Sequence, residues 1–178
     1  MHINNRLTVV FVVLVLLFLN SCSGKHPKCP IETLLLDENL FPKGTYAERL
    51  ISPVAEYPRD SAGQTHYYAP DSILQEVINW HSEKSAKDEF DLQLKSAFDV
   101  DQFMGPWETL DGLYTSPTAQ NYYAACGVAS HIYQCRMSST YKGYSVFFRA
   151  EVSEQGITLQ KVNELLEAID ERMIQCVG

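Results

Sequence analysis

The chain has little positive charge, no clustered histidines and none of the common catalytic motifs. It carries 14 Lys and Arg against 22 Asp and Glu in 178 residues. A nucleic-acid or anionic-membrane partner needs a basic face, and this balance argues against both. G-x-S-x-G, the P-loop and G-x-G-x-x-G are all missing, which removes the usual marks of an acyl-transfer nucleophile or a phosphate cradle. His26, His66, His81 and His131 are scattered, with no i, i+4 pair and no H-E-x-x-H. Ser139-Thr140-Tyr141-Lys142 matches S-x-x-K. That chemistry needs Ser at a helix start with Lys one turn later, whereas these four residues run into a turn, and neither K-T-G nor S-D-N follows. Asp88, Glu89 and Asp91 read as a solvated helix face, since no EF-type loop frames them. The expectation is a chain with no catalytic residue, no metal and no cofactor.

Long apolar runs are also scarce. The one present, Leu7 to Leu19, has Thr8 as its only polar residue and follows Arg6, the sole formal charge in the first 21 positions. A spanning helix needs about 20 apolar residues, so this shorter run reads as the h-region of a secretory signal with Arg6 as its n-region. It ends in Leu19-Asn20-Ser21-Cys22. This tetrapeptide resembles the bacterial lipobox, which implies cleavage between Ser21 and Cys22 and acylation of Cys22. Several acyl chains hold stably where one is marginal, each buried CH₂ contributing ~0.8 kcal/mol. The expected organisation is a signal peptide over 1–21, a lipidated tether over 22–30 and a single domain over 31–178. The expected place is the extracytoplasmic side of the cell membrane, with the membrane as partner through the lipid anchor. Losing 1–21 removes one Arg and no acid, so the mature balance is 13 basic against 22 acidic side chains, −9.

Five cysteines are present. With Cys22 taken by lipid, Cys29, Cys126, Cys135 and Cys176 remain. An even number in an oxidising compartment implies disulfides, with three connectivities open. Sequence order favours Cys126–Cys135 as the local bridge, leaving Cys29–Cys176, which would hold the domain close to the anchor with both chain ends on that side. Zinc is the alternative, because His131 lies between Cys126 and Cys135, but no C-x-x-C knuckle completes a tetrahedral set. A redox pair would have closer spacing at a helix start.

Ile31 to Leu36 reads as a helical turn tucked onto the body. Asp37 to Asp60, with three prolines, reads as extended loop with a short strand near Leu50-Ile51. Gln64–Ala69 and Ile73–Trp80 read as strands. Ser82 is a natural N-cap for a helix over Glu83–Phe98 that buries Ala86, Phe90, Leu94 and Ala97. Val100 to Thr115 is irregular, and Trp107 within it reads as a plug on the core edge. Lys142-Gly143 reads as a two-residue hairpin turn with Gly supplying a positive φ. It pairs Tyr141 with Tyr144, Ser139 with Val146, Met137 with Phe148 and Cys135 with Ala150. The opposite face collects Arg136, Ser138, Thr140, Ser145, Phe147 and Arg149, as in a sheet with one buried and one solvated face. For Pro117–Cys126 a strand is favoured. A helix stays open, because Ser116-Pro117 resembles an N-cap followed by N1. Thr158 caps a final helix whose stripe is Val162, Leu165, Leu166, Ile169, Met173 and Cys176. The sum is an α+β domain, an antiparallel sheet with helices packed on one side.

The lipobox, Ser82-Glu83 before Ala86 and Phe90, the Cys126/Cys135 pair, Tyr144-Ser145-Val146 and Leu166 to Met173 together resemble an uncharacterised bacterial exported lipoprotein family. The resemblance implies export and a two-disulfide α+β fold, and it carries no active site. At fold level the element order is similar to PsbP-like or exported sensor domains. The functional expectation is an extracytoplasmic binding or accessory domain. The rival is an envelope hydrolase with a site assembled from His66, His81, Asp99 and Asp101.

Overall fold

The computed structural model describes residues 29–50, 58–100 and 104–178. The signal region, Ser21, Cys22, most of the tether, His26, Ile51 and Asp101 lie outside the described residues. In chain order the elements are β1 (Tyr46–Arg49), β2 (Asp60–Tyr68), β3 (Asp71–Asn79), α1 (Glu83–Ser96), β4 (Asn121–Ala129), β5 (Ile132–Tyr141), β6 (Tyr144–Glu151) and α2 (Leu159–Val177). The six strands form one antiparallel sheet in the order β1-β2-β3-β6-β5-β4. The α+β class stands as expected.

The β5–β6 hairpin has the register that alternation and the turn imply: Tyr141 opposes Tyr144, Ser139 Val146, Met137 Phe148 and Cys135 Ala150. One detail of the turn differs. The left-handed residue is Lys142, at φ 53°, and not Gly143. Gly143 instead lies against the β3 end, where its carbonyl accepts from the Trp80 amide at 2.7 Å. The open choice at Pro117–Cys126 resolves as strand from Asn121 onward, with residues 117–120 outside it. Ser116 still makes its cap-like contacts, accepting from the amides of Thr118 at 3.1 Å and Ala119 at 2.8 Å. No helix follows, because β4 pairs along its whole length with β5.

The helices take opposite faces, which corrects the one-sided packing. Tyr141, on one face of β5, reaches Asp170 of α2, whereas Ser138, on the other, donates to Gln93 of α1 at 2.6 Å. Of the side chains read as a solvated polar face, Ser138, Thr140 and Ser145 are therefore inside, and Arg136, Phe147 and Arg149 are half-buried. Ser138, Thr140 and Ser145 are 0–1% exposed. The sequence pattern suggested water because the residues are polar, but buried polar groups are tolerated where each has a partner. Here Gln93 serves Ser138, Asn121 Nδ2 donates to Thr140 Oγ1 at 2.8 Å, and Trp80 Nε1 donates to Ser145 Oγ at 2.8 Å. Phe147 belongs to this second packed layer.

The α2 face carries the main core: Phe148, Met137, Ile73 and Val77 from the sheet, with Val162, Leu165, Ile169 and Met173 from α2. Beside α2, the segment Cys29–Phe41 covers β2 and β3. Two cross-strand glutamines, Gln64 and Gln75, dock its backbone. Gln75 accepts from the Leu36 amide at 2.8 Å and donates to the Leu34 carbonyl at 3.1 Å, and Gln64 donates to the Leu36 carbonyl at 2.7 Å. The two disulfides are Cys29–Cys176 and Cys126–Cys135. They follow the pairing that sequence order favours, with Cys126 and Cys135 directly opposite across β4 and β5.

Candidate functional site

The densest polar constellation surrounds Asp170. This residue falls on the buried stripe of α2 and is 2% exposed. A lone buried carboxylate is costly unless hydrogen bonds compensate. Four hydroxyls do so. Oδ1 accepts from Ser116 at 2.5 Å, Thr118 at 2.7 Å and Tyr141 at 2.8 Å, and Oδ2 accepts from Tyr114 at 2.9 Å. Burial works against the charge, but the four donors outweigh it and hold the carboxyl below the ordinary aspartate range. Burial, the Asp170 hydrogen bond and its charge push the Tyr114 and Tyr141 phenols up. Tyr122 is raised likewise, first by burial, and its hydroxyl donates to the Tyr114 carbonyl at 2.8 Å. The arrangement is a clamp. It ties the segment around Tyr114–Thr118 to α2 and to β5. Ser116 Oγ donates to Asp170 and accepts from two backbone amides, so it is held in place by the clamp.

Of the residues of the hydrolase reading, Asp101 lies outside the described residues, and the described ones, His66, His81 and Asp99, stand apart. His66 is 1% exposed on the α2 face, stacked on Phe41 at 3.8 Å between ring centroids. It pairs with Ile73, whereas His81 follows the other end of β3. At ~3.3 Å per strand residue, Ile73 to the strand end at Asn79 alone spans about 20 Å, and His81 lies beyond it. Asp99 is exposed beyond α1, and its carboxylate accepts from the Val100 amide at 2.8 Å. Neither ring nitrogen of His66 has a hydrogen-bond partner among the described residues. Burial lowers its pKa to about 4. The folded chain therefore keeps His66 neutral where the unfolded chain, at about 6.5, takes a proton. Stability is complete above pH 6.5 and falls as pH drops to 4, by at most about 3 kcal/mol from this group at ~1.4 kcal/mol per pH unit. Urea unfolding at pH 7 and pH 4 checks this. His66→Met should lose less stability than the parent over that interval, and parallel losses would contradict it.

The remaining singled-out residues have structural places. Trp107 plugs the β4 edge: its Nε1 donates to the Asp99 carbonyl at 2.9 Å, and Arg136 lies over its ring at 4.4 Å. A Cβ on Gly127 would stand 2.5 Å from the Pro106 carbonyl oxygen, so the Trp107 strap can cross β4 only at a glycine. Burial, and then the neighbouring Arg149, lower Arg136 to about 10. On the same face burial raises the Glu76 and Glu89 carboxyls, with Arg149 partly offsetting the first. His131 sits with Ser130 in the β4–β5 turn, both at positive φ. Cys126 and Cys135 are bridged to each other, and no group of three or more His, Cys, Asp or Glu is placed to hold a metal among the described residues. Ser139 and Lys142 stand on a strand and in a turn, so the S-x-x-K match lacks its helix.

Sequence reasoning missed the Asp170 clamp. The available signal was an acid at a stripe position, between Ile169 and Met173 and four residues after Leu166. No described helix is long and apolar enough to cross a membrane. Searches against protein-family models, curated proteins and solved structures return no match to this chain, so the similarity to PsbP-like domains stays an analogy of element order.

Proposed function

We propose that the chain is a bacterial lipoprotein, an extracytoplasmic binding or accessory domain tethered to the membrane through Cys22. The observation that carries this is the cysteine account. Four of the five cysteines are bridged in pairs. Cys22 is left with no cysteine of its own chain to pair with, and it stands where the lipobox resemblance puts the acylated residue. The two bridges support an oxidising compartment. The Asp170 clamp supports a non-enzymatic reading, because the best-assembled polar group is spent on holding elements together.

The test is metabolic labelling with a palmitate analogue, followed by fractionation. The parent should take the label and sediment with membranes. Cys22→Ser should lose the label and leave the membrane fraction. Labelling that survives Cys22→Ser would contradict the assignment.

A further inference from the structure

The Trp107 strap pairs with only part of the β4 edge. Gly105 donates to the Val128 carbonyl at 2.8 Å, and Glu108 and Cys126 exchange both backbone hydrogen bonds at 2.9 Å. Along an antiparallel strand, backbone groups that face outward recur at every second residue. The N–H and C=O of Ala124 therefore point away from β5 as well. The Ala124 carbonyl accepts from Thr109 Oγ1 at 3.2 Å. Its N–H has no partner among the described residues, although Ala124 is only 5% exposed. A buried backbone donor is rarely left orphaned.

After Glu108 the strap turns, with the Leu113 amide donating to the Leu110 carbonyl at 3.1 Å. A cavity of about 180 Å³ lies between residues 109–115 and the β4 edge at Tyr122–Ala124. Tyr122 and Tyr123 point to opposite faces of the strand and flank it. Both rings are fixed in place. The Tyr122 hydroxyl donates to the Tyr114 carbonyl at 2.8 Å, and Tyr123 meets Phe98 edge-on with centroids 4.8 Å apart. Thr109 and Thr115 are exposed at the mouth, and the Thr115 hydroxyl has no partner among the described residues. We propose that this cavity binds one neutral sugar ring, with a ligand oxygen accepting from the Ala124 N–H, a C–H face on Tyr123 and a hydroxyl at Thr115. No charged side chain lines the cavity, so a phosphate or a free amino acid would find no ion pair there. Its size is below the ~300–1,000 Å³ of sites for drug-sized ligands and suits a single ring. Fixed aromatic walls, hydroxyls at the mouth and one inward donor match a molecule with an apolar C–H face and a polar rim. An uncharged ligand also needs no basic face on this acidic chain. The proposal deepens the binding-domain reading, on which it rests, and does not depend on the anchor at Cys22.

The test is titration of the purified, isotope-labelled protein with N-acetylglucosamine, followed by the NMR signals of its backbone amides. The Ala124 amide should shift and saturate. Tyr123→Ala, which removes one wall, and Thr115→Val, which removes the free hydroxyl, should each weaken binding several-fold. Thr115 is exposed, so its variant keeps the parent fold and serves alone if Tyr123→Ala does not fold. An Ala124 amide that stays still, or that shifts without saturating, would overturn the proposal, as would equal affinity in Thr115→Val and the parent. Equal saturable shifts with uracil would describe a cavity open to any small ring and would overturn the sugar assignment. Absence of binding in protein that still takes the palmitate label at Cys22 overturns the ligand and leaves the lipoprotein reading standing.

Discussion

Replacing Cys29 and Cys176 together by serine is expected to lower the unfolding free energy by about 5 kcal/mol, the larger of the two disulfide effects. The bridge closes a loop with a sequence separation of 147, against 9 for Cys126–Cys135. In the chain-entropy description the loss grows with the logarithm of loop length, giving roughly 5 and 2.7 kcal/mol respectively. For a domain of this size, 5 kcal/mol corresponds to a fall in Tm of about 10–20 °C. The native fold itself should survive. The Cys29–Phe41 segment stays docked by Gln64 and Gln75, and Arg172 contacts the Leu35 carbonyl and Asp37. Thermal and urea unfolding of the two double variants measure the difference. A Cys126/Cys135 variant that loses more than the Cys29/Cys176 variant would contradict the loop-length argument.

Asp170→Ala is expected to cost about 3–5 kcal/mol. It removes the common acceptor of four hydroxyls and leaves the 6%-exposed Tyr141 among groups with no partner. Hydrogen bonds to a charged group contribute roughly 1.5–3 kcal/mol each, and each donor left buried costs ~1–3 kcal/mol. The full sum is not reached, because Ser116 and Thr118 are close enough to solvent to rehydrate. Asp170→Asn keeps an acceptor at the Oδ1 position and should lose about 1–2 kcal/mol. The pH dependence separates charge from shape. The folded carboxyl lies below the ordinary value of 3.8, so its contribution is complete above pH 4 and disappears as pH falls through the lowered pKa. Asp170→Asn should therefore flatten the acid limb below pH 4 and leave the His66 limb between pH 6.5 and 4 unchanged. An unaltered acid limb would show that Asp170 carries no charge in the fold.

The parts of the fold legible in the sequence are those set by local period and local turns. Lys142-Gly143, flanked by alternation, fixed the β5–β6 register to the residue. Ser82 and Thr158 cap their helices as expected, accepting from the amides of Ser85 and Lys161 at 3.0 and 3.3 Å. What was not legible is what distant segments decide. The polarity of Ser138, Thr140 and Ser145 could not reveal that α1 would cover them, because their partners Gln93, Asn121 and Trp80 come from other elements. Gln93 was absent from the expected buried face of α1 for the same reason. Asp170 looked like one more acid on a closing helix. Its four donors lie 29–56 residues away, and only the folded sheet brings them to one carboxylate.

The central claim is a two-disulfide domain held to the membrane by acylated Cys22, and intact-mass analysis of protein from its native host tests it most directly. The mature chain is expected to begin at Cys22, with lipid mass on it. Before reduction no thiol is free to alkylate, and after reduction four are, from the two bridges of Cys29, Cys176, Cys126 and Cys135. A chain that keeps residues 1–21, a Cys22 without lipid, or a thiol count other than four after reduction would contradict it.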